Sequence, residues 1–250
     1  DDSNFKEFNK DDVLSEKNKN PFDENKFLKF GGLTVDNSVL LERGESHINI
    51  DYDSSGNLFS SYSYSLSNIF QLNLMNVGSF KTKNVAIKKN SQFTNIFLGD
   101  NNINYRVGGK LLIFSPEKND LIWLSSRVSL GTELNSKQSY IYSDLTTTFK
   151  LNNLINFNIN PKYLFGEVGN IGAIGLSNNV NFSEKIQFIG ETNLGITQNS
   201  SSNLTFALSY TYSPSKSINI FATNAAGFQD IGTMLSSNDY KFGIRINYIF

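Results

Sequence analysis

The closing stretch Tyr240-Lys-Phe-Gly-Ile-Arg-Ile-Asn-Tyr-Ile-Phe250 decides the fold. In an extended strand, successive side chains point to opposite faces. Phe242, Ile244, Ile246, Tyr248 and Phe250 therefore share one face, and Gly243, Arg245 and Asn247 share the other. The same two-residue period runs back through the chain. Leu204, Phe206, Leu208, Tyr210 and Tyr212 alternate with Thr205, Ala207, Ser209 and Thr211, and Ile155, Phe157 and Ile159 alternate with Asn156, Asn158 and Asn160. Further arms are read at 47–52, 62–66, 70–74, 105–113, 122–130, 145–151, 174–182, 186–196 and 218–222, separated by turn-forming stretches such as Asp53-Ser-Ser-Gly-Asn57 and Pro214-Ser-Lys-Ser217. This gives an all-β chain of about twelve antiparallel strands. The less regular stretch from Asn76 to Asn102 reads as one long loop or one more hairpin, which leaves a range of 10–14.

Composition fits strands and excludes several kinds of chemistry. The chain has 21 Phe and 11 Tyr but only 4 Pro, and aromatic side chains suit a pleated, half-buried surface. Mean hydropathy is -0.29, and no apolar run approaches the roughly 20 residues a membrane helix needs. A membrane barrel stays open to the chain, because only alternate residues of its strands face lipid. Cys is absent and His47 is the only histidine, which excludes disulfide frameworks, thiolate metal sites and multi-histidine metal sites. No metal or cofactor is expected. With a net charge of -1, no global basic field would recruit nucleic acid.

Residues 1–30 are charged and amide-rich, and read as a disordered polar tail ahead of a barrel at 31–250. The alternative is a tail that folds back into the lumen as a plug. The opening Asp1-Asp2 is what a mature chain would show after leader cleavage.

A final strand with an apolar outer face, a polar inner face and a terminal Phe resembles the closing strand of bacterial outer-membrane β-barrels. The resemblance covers roughly residues 45–250. It implies a transmembrane antiparallel up-and-down barrel with both termini in the periplasm, lipid and lipopolysaccharide around it, and small polar solutes within. It also implies that Phe242, Ile244, Ile246, Tyr248 and Phe250 are read by the barrel-assembly machinery. Short turns near Ser67, Ser115, Asn152, Ser183 and Pro214 and longer connections near Asn90, Asn135, Gln198 and Asp230 match such barrels, with the Asp53 turn an exception. The rival is a soluble lipocalin-like barrel with its apolar face inside. Its outer face would carry more charge than the Asn, Ser, Thr and Gln found here.

The polar face places Arg106, Lys110, Arg127, Asp144, Glu191 and Arg245 in the lumen. Such charges can sort ions by sign, with a small cation excess favouring anions, or can simply pair and fill the interior. Ala207 is expected in a wet lumen. His47 with Ser54, Ser55 and Asn57 loosely suggests the catalytic set of an outer-membrane phospholipase, although turn chemistry explains Asp53-Ser-Ser-Gly better. Gly166, Gly169, Gly172 and Gly175 mark a hairpin tip or a crowded strand, not a phosphate loop. Gly32-Leu33 with Leu40-Leu41-Glu-Arg-Gly44 is similar to the opening of barrels associated with exopolysaccharide secretion. Asn224–Gly227 is similar to small barrels of cyanobacterial type. The function expected is passive passage of small hydrophilic solutes. The alternatives are a non-conducting structural or polysaccharide-export accessory barrel, and a lipid hydrolase.

Overall fold

The structure is a computed structural model that describes residues 26–79, 104–115, 121–133, 139–152, 154–166, 169–228 and 230–250. After a single helical turn, α1 (Lys26–Lys29), the described chain forms twelve strands. They are β1 (Ser46–Asp53), β2 (Asn57–Ser67), β3 (Phe70–Ser79), β4 (Asn104–Phe114), β5 (Ile122–Glu133), β6 (Ser139–Lys150), β7 (Ile155–Gly166), β8 (Gly169–Asn181), β9 (Ile186–Gly195), β10 (Asn203–Ser213), β11 (Lys216–Ala225) and β12 (Ser236–Ile249). Each pairs antiparallel with its sequence neighbours, and β12 closes on β1 from His47↔Ile249 to Asp53↔Gly243. Ser46 and Phe250 exchange two backbone hydrogen bonds that finish the seam. Closure leaves no open sheet edge, so the strand ladders satisfy one another all round the barrel. Residues 80–103, which hold the doubtful loop or hairpin, lie outside the described residues.

The faces follow the period. In β10, Leu204, Phe206, Leu208, Tyr210 and Tyr212 are exposed, while Asn203, Thr205, Ala207, Ser209 and Thr211 are buried. In β12, Phe242, Ile244, Ile246 and Tyr248 point outward with Phe250 beyond them, and Lys241, Arg245 and Asn247 point inward. A soluble barrel is arranged the other way round.

Inside, the two ends differ. Toward the end bearing the 68–69, 151–154, 182–185 and 214–215 turns, the wall is an amide and hydroxyl lattice. Asn158 donates to Ser177 Oγ at 2.6 Å and accepts from Thr148 Oγ1 at 2.7 Å. Asn179 donates to Asn156 at 2.8 Å, and Asn73 accepts from both Ser63 and Gln71 at 2.8 Å. The inward Asn, Ser, Thr and Gln side chains thus bond across the ladder, which meets much of the hydrogen-bonding demand of this buried wall. Toward the other end the interior holds an apolar cluster beside the buried Arg106–Asp230 and Lys241–Asp53 pairs. Phe59, Tyr140, Tyr142, Leu164, Ile171 and Phe221 pack with Phe228, Ile231, Met234 and Leu235 of the β11–β12 connection. That connection folds inward through a 3-10 turn at Asp230–Met234 whose residues are all buried. Ala207 belongs to this apolar cluster, so the wet lumen expected at its level is not found.

Two connections depart from the expected lengths. β7 and β8 are joined through residues 167–168 at the end expected to carry long loops, with Gly169 at φ 116 making the tight reversal. The connection at 134–138 is no longer than the one at 115–121 on the opposite end. The turn after β1 is built by Asp53, whose Oδ1 accepts from Ser55 N and Asn57 N. Gly56, at φ 83, completes it.

Candidate functional site: an occupied lumen

Residues 30–41 run inside the barrel, with Phe30, Leu33, Thr34, Val35, Asn37, Ser38, Leu40 and Leu41 buried. The stretch 31–45 therefore contributes no strand to the wall, which begins at Ser46. Its backbone pairs with Ser65 of β2 at Gly44 and Glu45, and the buried N–H and C=O groups before them must find partners elsewhere. The wall supplies them. Glu191 of β9 accepts from Leu33 N at 2.7 Å, from Thr34 N, from Thr34 Oγ1 at 2.8 Å and from Val35 N at 3.3 Å. A carboxylate clasped by consecutive N–H groups is a charge-assisted arrangement, stronger than neutral bonds. Further along, Ser38 N donates to Thr148 Oγ1 at 2.7 Å, and Leu41 N donates to Gln71 Oε1 at 3.3 Å.

Wall cations hold the carbonyls of the same segment. Arg245 donates to Gly32 O at 2.6 Å, Lys162 to Thr34 O at 2.9 Å, and Lys110 to Asn37 O. Asp36 gives the segment its own charge and lies 3.3 Å from Lys110 and 3.7 Å from Arg127. Close packing needs room, which glycines supply. A Cβ on Gly175 of β8 would lie 3.0 Å from Val35 Cγ2, and one on Gly32 would collide with Val35 O and Glu191. Below the segment, at the mouth near the short turns, Lys29 bonds Glu42 at 2.6 Å and Glu45 at 3.2 Å. Partial burial works against its charge, yet the two carboxylates hold its pKa above the ordinary lysine value.

All six residues read from the sequence as lumen-lining point inward. Arg127 bonds Asp144 at 2.6 Å, Arg245 forms a two-point pair with Asp51, and Arg106 lies 3.7 Å from Asp230. They are tied into pairs and into the segment. Asp51, Asp53, Lys162 and Lys241 also line the interior, and their parity announced it. Lys162 continues the inward series Asn156, Asn158, Asn160, and Lys241 continues Gly243 and Arg245. Asp36 and Asp230 lie in connections with no period, and no sequence signal marked them. His47 and the Ser54–Asn57 turn sit at opposite ends of β1, roughly 20 Å apart at about 3.4 Å per residue, so the structure does not bring that trio together. The His47 ring packs 6.2 Å from that of Phe30.

The cavity left around the segment is about 100 Å³, enough for a few waters and too small for a sugar. A larger concavity of about 1190 Å³ is lined mainly by outward side chains, among them Ile50, Leu74, Val107 and Leu130, with the inward Met75, Arg106 and Tyr140 also on its lining. In this conformation the described residues close the barrel with two inserts, the 30–41 segment and the 226–235 connection.

No family model and no curated protein matches the sequence. Solved structures do. A KdgM porin superposes with a TM-score of 0.60 at 10% identity, over 82% of this chain and 99% of that one. A KdgM porin in complex with disordered oligogalacturonate gives 0.59 at 10% identity, with the same coverage. A NanC porin gives 0.52 at 13% identity, over 82% of this chain and 98% of that one. The chain has the closed twelve-stranded fold of these porins.

Proposed function

We propose that this chain is a bacterial outer-membrane channel for the passive passage of small hydrophilic solutes, held closed in the conformation described by residues 30–41. The observation that carries the reading is the inside-out barrel. An outer belt of exposed Leu, Ile, Val, Phe and Tyr suits hydrocarbon, and a cross-bonded Asn, Ser and Thr wall suits water and hydroxylated solutes. The porin fold of the neighbours supports it, and a neighbour described with oligogalacturonate makes saccharides one solute class to test. In this reading the termini lie in the periplasm, lipid and lipopolysaccharide surround the belt, and the assembly machinery reads the last strand.

A second reading has its own observation. Two inserts fill the lumen, which is what a non-conducting structural barrel would show. The absence of cysteine from the chain gives a clean way to separate the two. The Ser38 N–H donates to Thr148 Oγ1 across the segment–wall contact, so Ser38→Cys with Thr148→Cys is the pair to test as a lock that oxidation closes and reductant opens, its disulfide verified by thiol titration before any current is read. In planar bilayers the parent is expected to give stepwise currents. The oxidised pair should be silent, and reductant should restore the steps. A parent that stays silent across the voltage range, with the reduced pair silent as well, establishes the structural barrel instead.

A further inference from the structure

Three independent contacts tie the segment entering from one mouth to the connection that closes the other. Lys162 of β7 spans them, with Nζ donating to Thr34 O at 2.9 Å and to Thr233 Oγ1 at 3.1 Å. Asn193 of β9 donates to Thr34 Oγ1 at 3.1 Å and to Asn203 Oδ1 at 2.9 Å. Asn203 in turn donates to the carbonyls of Thr233 at 2.8 Å and Leu235 at 3.1 Å. Arg245 bonds Gly32 O while its guanidinium lies 5.4 Å from the centre of the Phe228 ring. Leu33 of the segment also packs in the same apolar cluster as Phe228, Ile231, Met234 and Leu235.

We infer that the two inserts form one interlocked gate. The Glu191 clasp holds the segment, the segment holds the 226–235 connection, and release at one mouth is felt at the other. The inference rests on the channel reading above but concerns how the two closures are coupled. Its physical basis is that both inserts bond the same wall side chains, Lys162 and the Asn193–Asn203 pair, and touch directly where Leu33 packs on the connection. If residues 30–41 withdraw, the Lys162 ammonium loses its carbonyl, Asn193 loses its hydroxyl acceptor and Leu33 leaves the cluster. The connection then keeps only part of what buries it, and buried polar groups left unmatched favour its opening toward water. Glu191 bonds the segment through residues 33–35, whereas the connection is held by Lys162, Asn203 and Arg245 and, away from the segment, by Ser129, Arg106 and Lys241. A change at Glu191 frees the segment directly but also removes a charge that acts on Lys162 and Arg245, so a change on the segment itself, at Thr34, is the cleaner probe of coupling.

The test uses two single-cysteine reporters in otherwise full-length chains. Val39→Cys reports the segment. Ser236→Cys, fully buried at the foot of the connection, reports the far mouth and is probed with a membrane-impermeant maleimide. Both are combined with Glu191→Gln, and separately with Thr34→Val, which leaves the wall sequence intact should Glu191→Gln assemble poorly. Heat-modifiable mobility confirms folding in each case. The expected result is at least about a tenfold rise in labelling rate at both reporters, with Ser236→Cys protected again when the Ser38–Thr148 lock is oxidised. A rise at Val39→Cys with no change at Ser236→Cys overturns the coupling. No rise at Val39→Cys in either background overturns the clasp. Labelling needs no current, so a barrel that never conducts sinks the channel reading and leaves this inference to be decided by the maleimide alone.

Discussion

At Gly175 a missing side chain shapes the lumen, and the effect of restoring one can be stated. A Cβ there would lie 2.9 Å from Asn193 Oδ1, 3.0 Å from Val35 Cγ2 and 3.3 Å from Lys162 Cε, so Gly175→Leu must displace Val35 and the two side chains that bond Thr34, or else the strand. The strand is fixed on both sides by its ladders with β7 and β9, and the segment yields first. Gly175→Leu should therefore fold normally, as judged by heat-modifiable mobility, and raise the fraction of time the channel is open in bilayers. A normally folded variant with parental gating would show that Val35 is not part of the closure. Leu208, half exposed on the outer face of β10, behaves oppositely. In the proposed membrane setting Leu208→Arg puts a charge in hydrocarbon and should cost about 2–4 kcal/mol at the midplane. Folding titrations into lipid vesicles measure this, and a cost near zero would mean that position 208 does not face lipid.

For the elements, period and environment explain what could be read from sequence. Strands that alternate a polar inner face with an apolar outer face announce themselves, and Phe242 to Phe250 were legible residue by residue. The inward charges were legible for the same reason, because Arg106, Lys110, Arg127, Asp144, Glu191 and Arg245 interrupt a face otherwise made of amides and hydroxyls. The 30–41 segment was not. Its Leu33, Val35, Leu40 and Leu41 follow no strand or helix period, because they pack into the irregular inside of a barrel and not against a flat face. Phe59, Tyr142 and Phe221 hid the upper apolar cluster for a related reason. They sit at inward parity, where much of the wall is polar, and they gain partners from other inward side chains of the wall, Tyr140, Leu164, Ile171 and Ile189, and from the folded 226–235 connection. Closure of the barrel makes one element-scale test sharper. Ser46 bonds the backbone of Phe250 in both directions, so deleting Phe250 removes seam hydrogen bonds as well as a ring. Phe250→Ser keeps the backbone and loses only the ring, which stacks on Tyr248 at 5.4 Å between ring centres. If assembly reads that ring, Phe250→Ser should lower the amount of folded barrel in the outer membrane nearly as far as the deletion does. Parental levels of Phe250→Ser beside a poor deletion would assign the effect to the seam instead.

For the whole molecule, the distribution of charge sets what an open lumen would favour. Among the described residues, the wall turns Arg106, Lys110, Arg127, Lys162, Lys241 and Arg245 inward against Asp51, Asp53, Asp144 and Glu191. The inserts add the missing carboxylates, Asp230 beside Arg106 and Asp36 beside Lys110 and Arg127. The closed barrel is thus balanced internally, as buried charges need to be. Withdrawing the 30–41 segment takes Asp36 with it and leaves Lys110 and Arg127 facing water in a narrow, low-dielectric passage, where a small excess of fixed charge is felt strongly. The open state should then prefer anions. In a potassium chloride gradient, the reversal potential of the Gly175→Leu channel should carry the sign of chloride selectivity. Lys110→Glu in the same background should weaken or invert it, because it changes the wall where Asp36 had been. Raising ionic strength should shrink the preference as the Debye length falls below about 8 Å. A cation-selective open state that Lys110→Glu leaves unmoved would mean that the passage bypasses these residues and that the segment is not what occupies the conducting path.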